Sequence, residues 1–149
     1  MKDWGEVWKA MRVDLKSLIG IPYRLGAEAR SDEWPPKALD CSECIELIFS
    51  RQGIPCPDGS WNQHKESTSL KSERPGDIGF FAKPSKMRPG NPKGIYHVGI
   101  IFDEKLVVEA RAKDKKGRFG RVIYRPRKNW EAYGPFKLAG GWRRLKVLL

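Results

Sequence analysis

Three residues of this chain have the types and order that thiol acyl chemistry needs: Cys41 within Asp40-Cys41-Ser42, His97 at the start of an apolar run, and Glu109 beyond it. A thiol attacks an acyl carbon well only as the thiolate, so it needs an imidazole close by to take its proton. The imidazole in turn needs a third polar group to fix its tautomer and angle. Cys41 and Cys44 also form a C-x-x-C pair, a spacing shared by redox and zinc sites. That pair follows a long loop instead of a strand and lacks a second C-x-x-C, although His64 and His97 would be available to complete four ligands. No metal or organic cofactor is expected. Cys44 and Cys56 read most simply as core or loop thiols, and His64, among charged neighbours in WNQHKES, as a surface residue.

The elements that must position these groups can be read from periodicity. Trp4, Val7, Trp8, Met11, Leu15, Leu18 and Ile19 recur at the three-and-four spacing of one helical face, with Gly20 and Pro22 as the stop. IPYRLGAEARSDEWPPKAL, broken by Gly26, Pro35 and Pro36, reads as a shaped loop leading to the thiol. From Cys41 to Arg51 the sequence CSECIELIFSR predicts a second helix, ended by Gly53 and Pro55. Asp40 with Glu43 three residues later has the form of a capping box, which places Cys41 in the first helical position. Free backbone N–H groups and the positive end of the helix dipole favour a thiolate there, while the two acids oppose it by like-charge repulsion. Five short β-rich runs follow: Ile78 to Phe81, Val98 to Phe102, Leu106 to Ala110, Val122 to Tyr124 and Trp142 to Val147. Helices first (about 1–52) and strands afterwards (about 76–149) predict a single α+β domain, with N-terminal helices packed on a small antiparallel sheet. AKPSKMRPGNPKGIY, between the first two strands, is expected to form a mobile rim beside the site. Gly99 is expected to leave room near the His97 ring, and Trp34, Trp61 and Trp130 fall in loops where they could line a groove.

Side chains alternate along a strand, so the length of the turn between the second and third runs decides whether His97 and Glu109 share a face. A two-residue turn at Asp103-Glu104 would pair Val98 with Glu109 and send the carboxylate to the face opposite His97. An odd-length connection or a bulge would bring the two together, directly opposite or on the diagonal. Asn-Gly and Asp-Gly, the strongest two-residue hairpin signals, are both missing at this turn, so the odd option stays open.

With 149 residues, 40% of them hydrophobic, the chain can bury a core of its own. The N-terminal MKDWGEVWKAMRVDLKSLIG is interrupted by charge, so an apolar signal core is not expected, and no later run reaches the roughly 20 apolar residues of a membrane span. A net charge of +11 favours anionic partners, and the basic residues concentrate between Arg111 and Lys128 in RAKDKKGRFGRVIYRPRK. This tract reads as a solvated loop and strand edge or as a contact for an anionic cell-wall polymer. Nucleic acid is disfavoured, since no recognition-helix, zinc-finger or stacking pattern accompanies the charge.

Taken together, PYRLG, LDCSECIELIF, RPGDIGFF and YHVGIIFDEKLVVEA resemble, in order and spacing, the blocks of the NlpC/P60 family of cysteine peptidases. The resemblance runs from about Pro22 to Ala110. It implies a papain-like fold and hydrolysis of peptidoglycan stem peptides at the γ-D-glutamyl to diamino-acid bond or a related amide. Carried over by position, Cys41 looks like the nucleophile, His97 the general base and Glu109 the third member. The Tyr23 hydroxyl and the Cys41 backbone N–H would be oxyanion donors, and Asp40 and Ser42 would contact substrate. Two departures stand out. The family's usual glycine after the DCS triplet is Glu43 here, which is expected to narrow the space beside the thiol, and the third position is more often His, Asn or Gln. A monomer is expected, made in the cytoplasm and acting on the cell wall as a phage tail, lysis or prophage product. The same trio would also serve a thiol amidase or acyltransferase on another amide, and a decayed trio would leave a basic binding module.

Overall fold

The computed structural model of the protein describes residues 3–28 and 33–149; residues 29–32 of the expected loop before the thiol lie outside the described residues. Helix α1 runs from Trp4 to Leu18, with the Asp3 side chain accepting from the Glu6 N–H as N-cap. Met11, Leu15 and Leu18 of its apolar stripe are buried. Helix α2 (Cys41–Ser50) starts at the position its capping box predicts: the Asp40 carboxylate accepts from the Glu43 N–H at 2.8 Å. A short helix α3 (Ser60–Lys65) and strand β1 (Ser67–Ser69) occupy the polar stretch that carries no periodic signal. Strands β2 (Ile78–Ala82), β3 (Ile95–Ile101), β4 (Leu106–Arg111) and β5 (Arg121–Pro126) follow, then helices α4 (Arg127–Ala132) and α5 (Gly134–Leu138) and strand β6 (Arg143–Leu145). The sheet is antiparallel, with strand order β1-β6-β2-β3-β4-β5.

Both faces of this sheet are covered. Ile78, Phe80, Val98, Ile100, Val108, Ala110 and Val122 turn to one side, where α1 and α2 add Met11, Leu15, Cys44, Ile45 and Ile48 to the main core. Phe81, Ile101 and Val107 turn to the other side and pack with Trp130, Phe136 and Trp142 in a second apolar cluster. Gly79 is required there, because a Cβ would lie 2.6 Å from the Trp142 ring. The free edge at β5 is partly closed by the chain that links α1 to α2. Its Tyr23 N–H donates to the Gly120 carbonyl at 2.7 Å and the Val122 N–H to the Ile21 carbonyl at 2.9 Å. Among the described residues no helix is long and apolar enough to cross a membrane.

Candidate active site

The turn between β3 and β4 decides the site. Ile100 pairs with Val108 and Ile101 with Val107, so the connection is the three residues Asp103 to Lys105. The Asp103 carboxylate fixes that turn by accepting from the Lys105 and Leu106 N–H groups, each at 2.8 Å. Three is odd, so His97 and Glu109 share a face on the diagonal, the outcome that a two-residue turn would have prevented. The His97 Nε2 lies 3.0 Å from the Glu109 Oε1. Its other ring nitrogen is left for sulfur, and the imidazole is in hydrogen-bonding contact with the Cys41 side chain, which the N-terminus of α2 carries to the end of β3.

Glu109 has a side chain with no solvent exposure, a position that an ionised carboxylate can hold only with donors around it. Three surround it: the His97 ring, the Trp130 indole N–H at 2.6 Å to Oε2, and the Arg125 guanidinium at 3.3 Å to both oxygens. Burial alone would raise its pKa, but these donors and charges hold it below the usual carboxylate range. For His97, burial pushes the pKa down, and the contacts with Cys41 and Glu109 outweigh it, raising the imidazole to about 9. The ring also packs against Phe81 and Trp130, with centroids 5.1 and 5.7 Å away. At neutral pH the site therefore presents an imidazolium beside the Cys41 sulfur at a helix N-terminus.

Two cavities meet at this point. One of about 490 Å³ lies on the Cys41 side, lined by Asp40, Ser42, Trp61 and, from the segment after β2, Lys86 and Arg88. The other, about 420 Å³, lies on the imidazole side, lined by His97, Glu109, Arg111, Arg125 and Tyr133. Tyr23 and Tyr96 border both. Burial and the neighbouring Cys41 and Asp40 push the Tyr23 hydroxyl up to about 12, so it stays a hydrogen-bond donor. Asp40 also accepts from the Ser42 hydroxyl at 3.2 Å and the Gly26 N–H at 3.2 Å, tying the two neighbours of Cys41 together.

The NlpC/P60 family model matches residues 20–126, more than half the chain, with Tyr23, Cys41, His97, Glu109 and Arg125 inside the match and Trp130 beyond it. The chain belongs to that family. Over 104 residues it is 27% identical to the probable endopeptidase p60 of Listeria innocua, covering 68% of this chain and 19% of that relative's length. In structure it is similar to the peptidoglycan hydrolase RipB of Mycobacterium tuberculosis, with a TM-score of 0.67, 18% identity and coverage of 95% of this chain and 65% of that one. It is also similar to RipD of the same organism, a non-catalytic NlpC/p60 domain protein adapted to peptidoglycan binding, with a TM-score of 0.63, 14% identity and coverage of 96% and 97%. The likeness to RipB and RipD is one of fold.

Several expectations require correction in this NlpC/P60 chain. His64 is not a surface residue: it is 2% exposed, and its Nε2 lies 2.8 Å from the Ala139 carbonyl, an anchor 75 residues away that no local pattern signals. Trp130 is not in a loop lining a groove but fully buried in α4. The room that Gly99 provides is taken by that indole, 2.7 Å from where a Cβ would lie. Glu43 lines neither cavity, and its carboxylate lies within 4.8 Å of those of Glu46 and Asp58. The rim after β2 is pinned: the Asn91 side chain donates to the Ile95 carbonyl and accepts from its N–H. Cys44 is fully buried, which pushes its thiol up to about 12 and removes it as a reactive partner of Cys41. Arg125 and Trp130, which hold Glu109, carry no sequence signal that separates them from a basic tract and a loop tryptophan.

Proposed function

We propose that this protein is a cysteine endopeptidase that hydrolyses peptidoglycan stem peptides at γ-D-glutamyl to diamino-acid amide bonds through a thioester. The observation that carries this reading is the unbroken chain of contacts from Cys41 through His97 to Glu109 at the junction of two cavities. The Cys41 thiolate attacks the amide carbon, with the Tyr23 hydroxyl and the Cys41 backbone N–H donating to the oxyanion. The C–N bond breaks as the His97 imidazolium gives its proton to the leaving amine. The imidazole, now neutral, takes a proton from water, whose oxygen attacks the thioester carbon; the acid leaves and the Cys41–His97 pair is restored. Glu109 orients the ring and stabilises its charge. Asp40 and Ser42 meet the acyl part on the Cys41 side. None of these steps calls for a metal or an organic cofactor.

The +11 charge favours an anionic cell-wall polymer as a further partner, bound with steep salt dependence. We place the protein's action at the cell wall, reached as a virion component or on release at lysis. The test is mass spectrometry of purified muropeptides after digestion. New fragments with the wild type and none with Cys41→Ala are expected; equal products from both proteins, or none from either, would remove the proposal.

A further inference from the structure

The two arginines facing the imidazole-side cavity differ in what they already hold. Arg125 is bound to both oxygens of Glu109. Arg111, the last residue of β4 and on the same sheet face as Glu109, is held by a ring instead: its guanidinium lies over Phe119, 4.3 Å from the centroid. An aromatic face fixes a guanidinium without using its N–H donors. Among the described residues Arg111 donates no side-chain hydrogen bond and has no carboxylate within ion-pair distance. The ring is placed by an unusual backbone. Phe119, with φ 71, is the one non-glycine residue at positive φ among the described residues, a conformation disfavoured for a bulky side chain. Asp114, the cavity's other acid, is already taken by the Arg118 guanidinium at 2.9 Å and by the Lys116 and Arg118 backbone N–H groups. Among the described residues the cavity thus presents a pre-oriented cation with its donors free.

The chemistry of the two steps says what occupies this space. The acyl group stays on sulfur, whereas the amine protonated by His97 must lie on the imidazole side, where Arg111 is. We propose that Arg111 is a specificity residue that binds the side-chain carboxylate of the leaving diamino acid, the one that diaminopimelate has and lysine lacks. The assignment rests on the peptidase reading for its direction, but not for its existence as a carboxylate site.

Two tripeptides, L-Ala-γ-D-Glu-diaminopimelate and L-Ala-γ-D-Glu-L-Lys, differ at the leaving residue by one carboxylate. A charge-assisted, two-pronged contact predicts that the wild type favours the first by roughly ten- to a hundredfold in kcat/KM. Arg111→Gln should bring that ratio close to one, Arg111→Lys should recover part of it, and Lys16→Gln, which removes a charge on exposed α1, should leave the ratio where it was. Phe119→Gly, which a positive φ accepts, removes the platform and should lower the same ratio. A wild-type ratio near one, or a ratio that survives Arg111→Gln, overturns the assignment. Calorimetric titration of both tripeptides into the Cys41→Ala protein, with and without Arg111→Gln, separates the two claims. An Arg111-dependent preference in binding with no cleavage by the wild type upholds the carboxylate site and sinks the peptidase. Equal binding of the two tripeptides, or binding of neither, overturns the site.

Discussion

A full carboxylate at the third position changes what the imidazole can do. Glu109 stabilises the protonated ring, and with Cys41 it holds His97 at about 9, so His97 carries its proton through the neutral range and is ready to give it to a leaving amine. The alkaline limb of kcat/KM should therefore fall near pH 9, where the ring loses that proton. Glu109→Gln keeps an oxygen acceptor but removes the charge, so the limb should move down into the window between the unperturbed imidazole near 6.5 and 9. An unmoved limb in a pH–rate profile of this variant would assign it to another group. Trp130→Phe removes one of the donors that keep Glu109 ionised, so the same limb should shift, and turnover should fall, with little loss of apolar packing.

The elements transmit these positions through close contacts. Gly99 on β3 and Trp130 on α4 are packed so that Gly99→Ala must displace the indole, and the indole holds Glu109. We expect a loss of roughly 1–3 kcal/mol in urea unfolding and a larger proportional loss of turnover, because both the second cluster and the site are disturbed. Where a sequence signal was local, the reading of the elements carried through. The cap at Asp40, the stripe of α1 and the β-rich runs of β2 to β5 each depend on residues a few positions apart. What it missed depends on distant partners: α3 and β1 are short and polar, α4 and α5 are short pieces whose Trp130 and Phe136 become core only against the sheet, and His64 is held by the carbonyl of Ala139, just past the end of α5. The site was legible as a trio but not as a network, since turn parity could be posed from the sequence without being decided, and the donors around Glu109 come from β5 and α4.

At the scale of the whole molecule, two histidines link folding to pH in opposite ways. Burial lowers His64 to about 4, so below pH 6.5 the unfolded chain takes up a proton that the folded ring refuses. Its contribution favours the folded state above about 6.5 and declines as pH falls towards 4. His97, raised to about 9, contributes stability that is complete below 6.5 and is lost as pH rises to 9. Urea midpoints measured across this range should drop on the acid side, and His64→Gln, whose amide can still donate to the Ala139 carbonyl, should flatten that drop. The hairpin tip at Asp103 to Lys105 has a consequence of a different kind. Exposed tips are where related chains ordinarily gain and lose residues at little cost, and a residue removed between Phe102 and Leu106 leaves Ile100 opposite Val108, so Glu109 stays on the His97 face. A residue lost from within β4 would instead exchange its two faces, turning Val108 out of the main core and a carboxylate into it, so the strand is locked in its arithmetic and the tip is not.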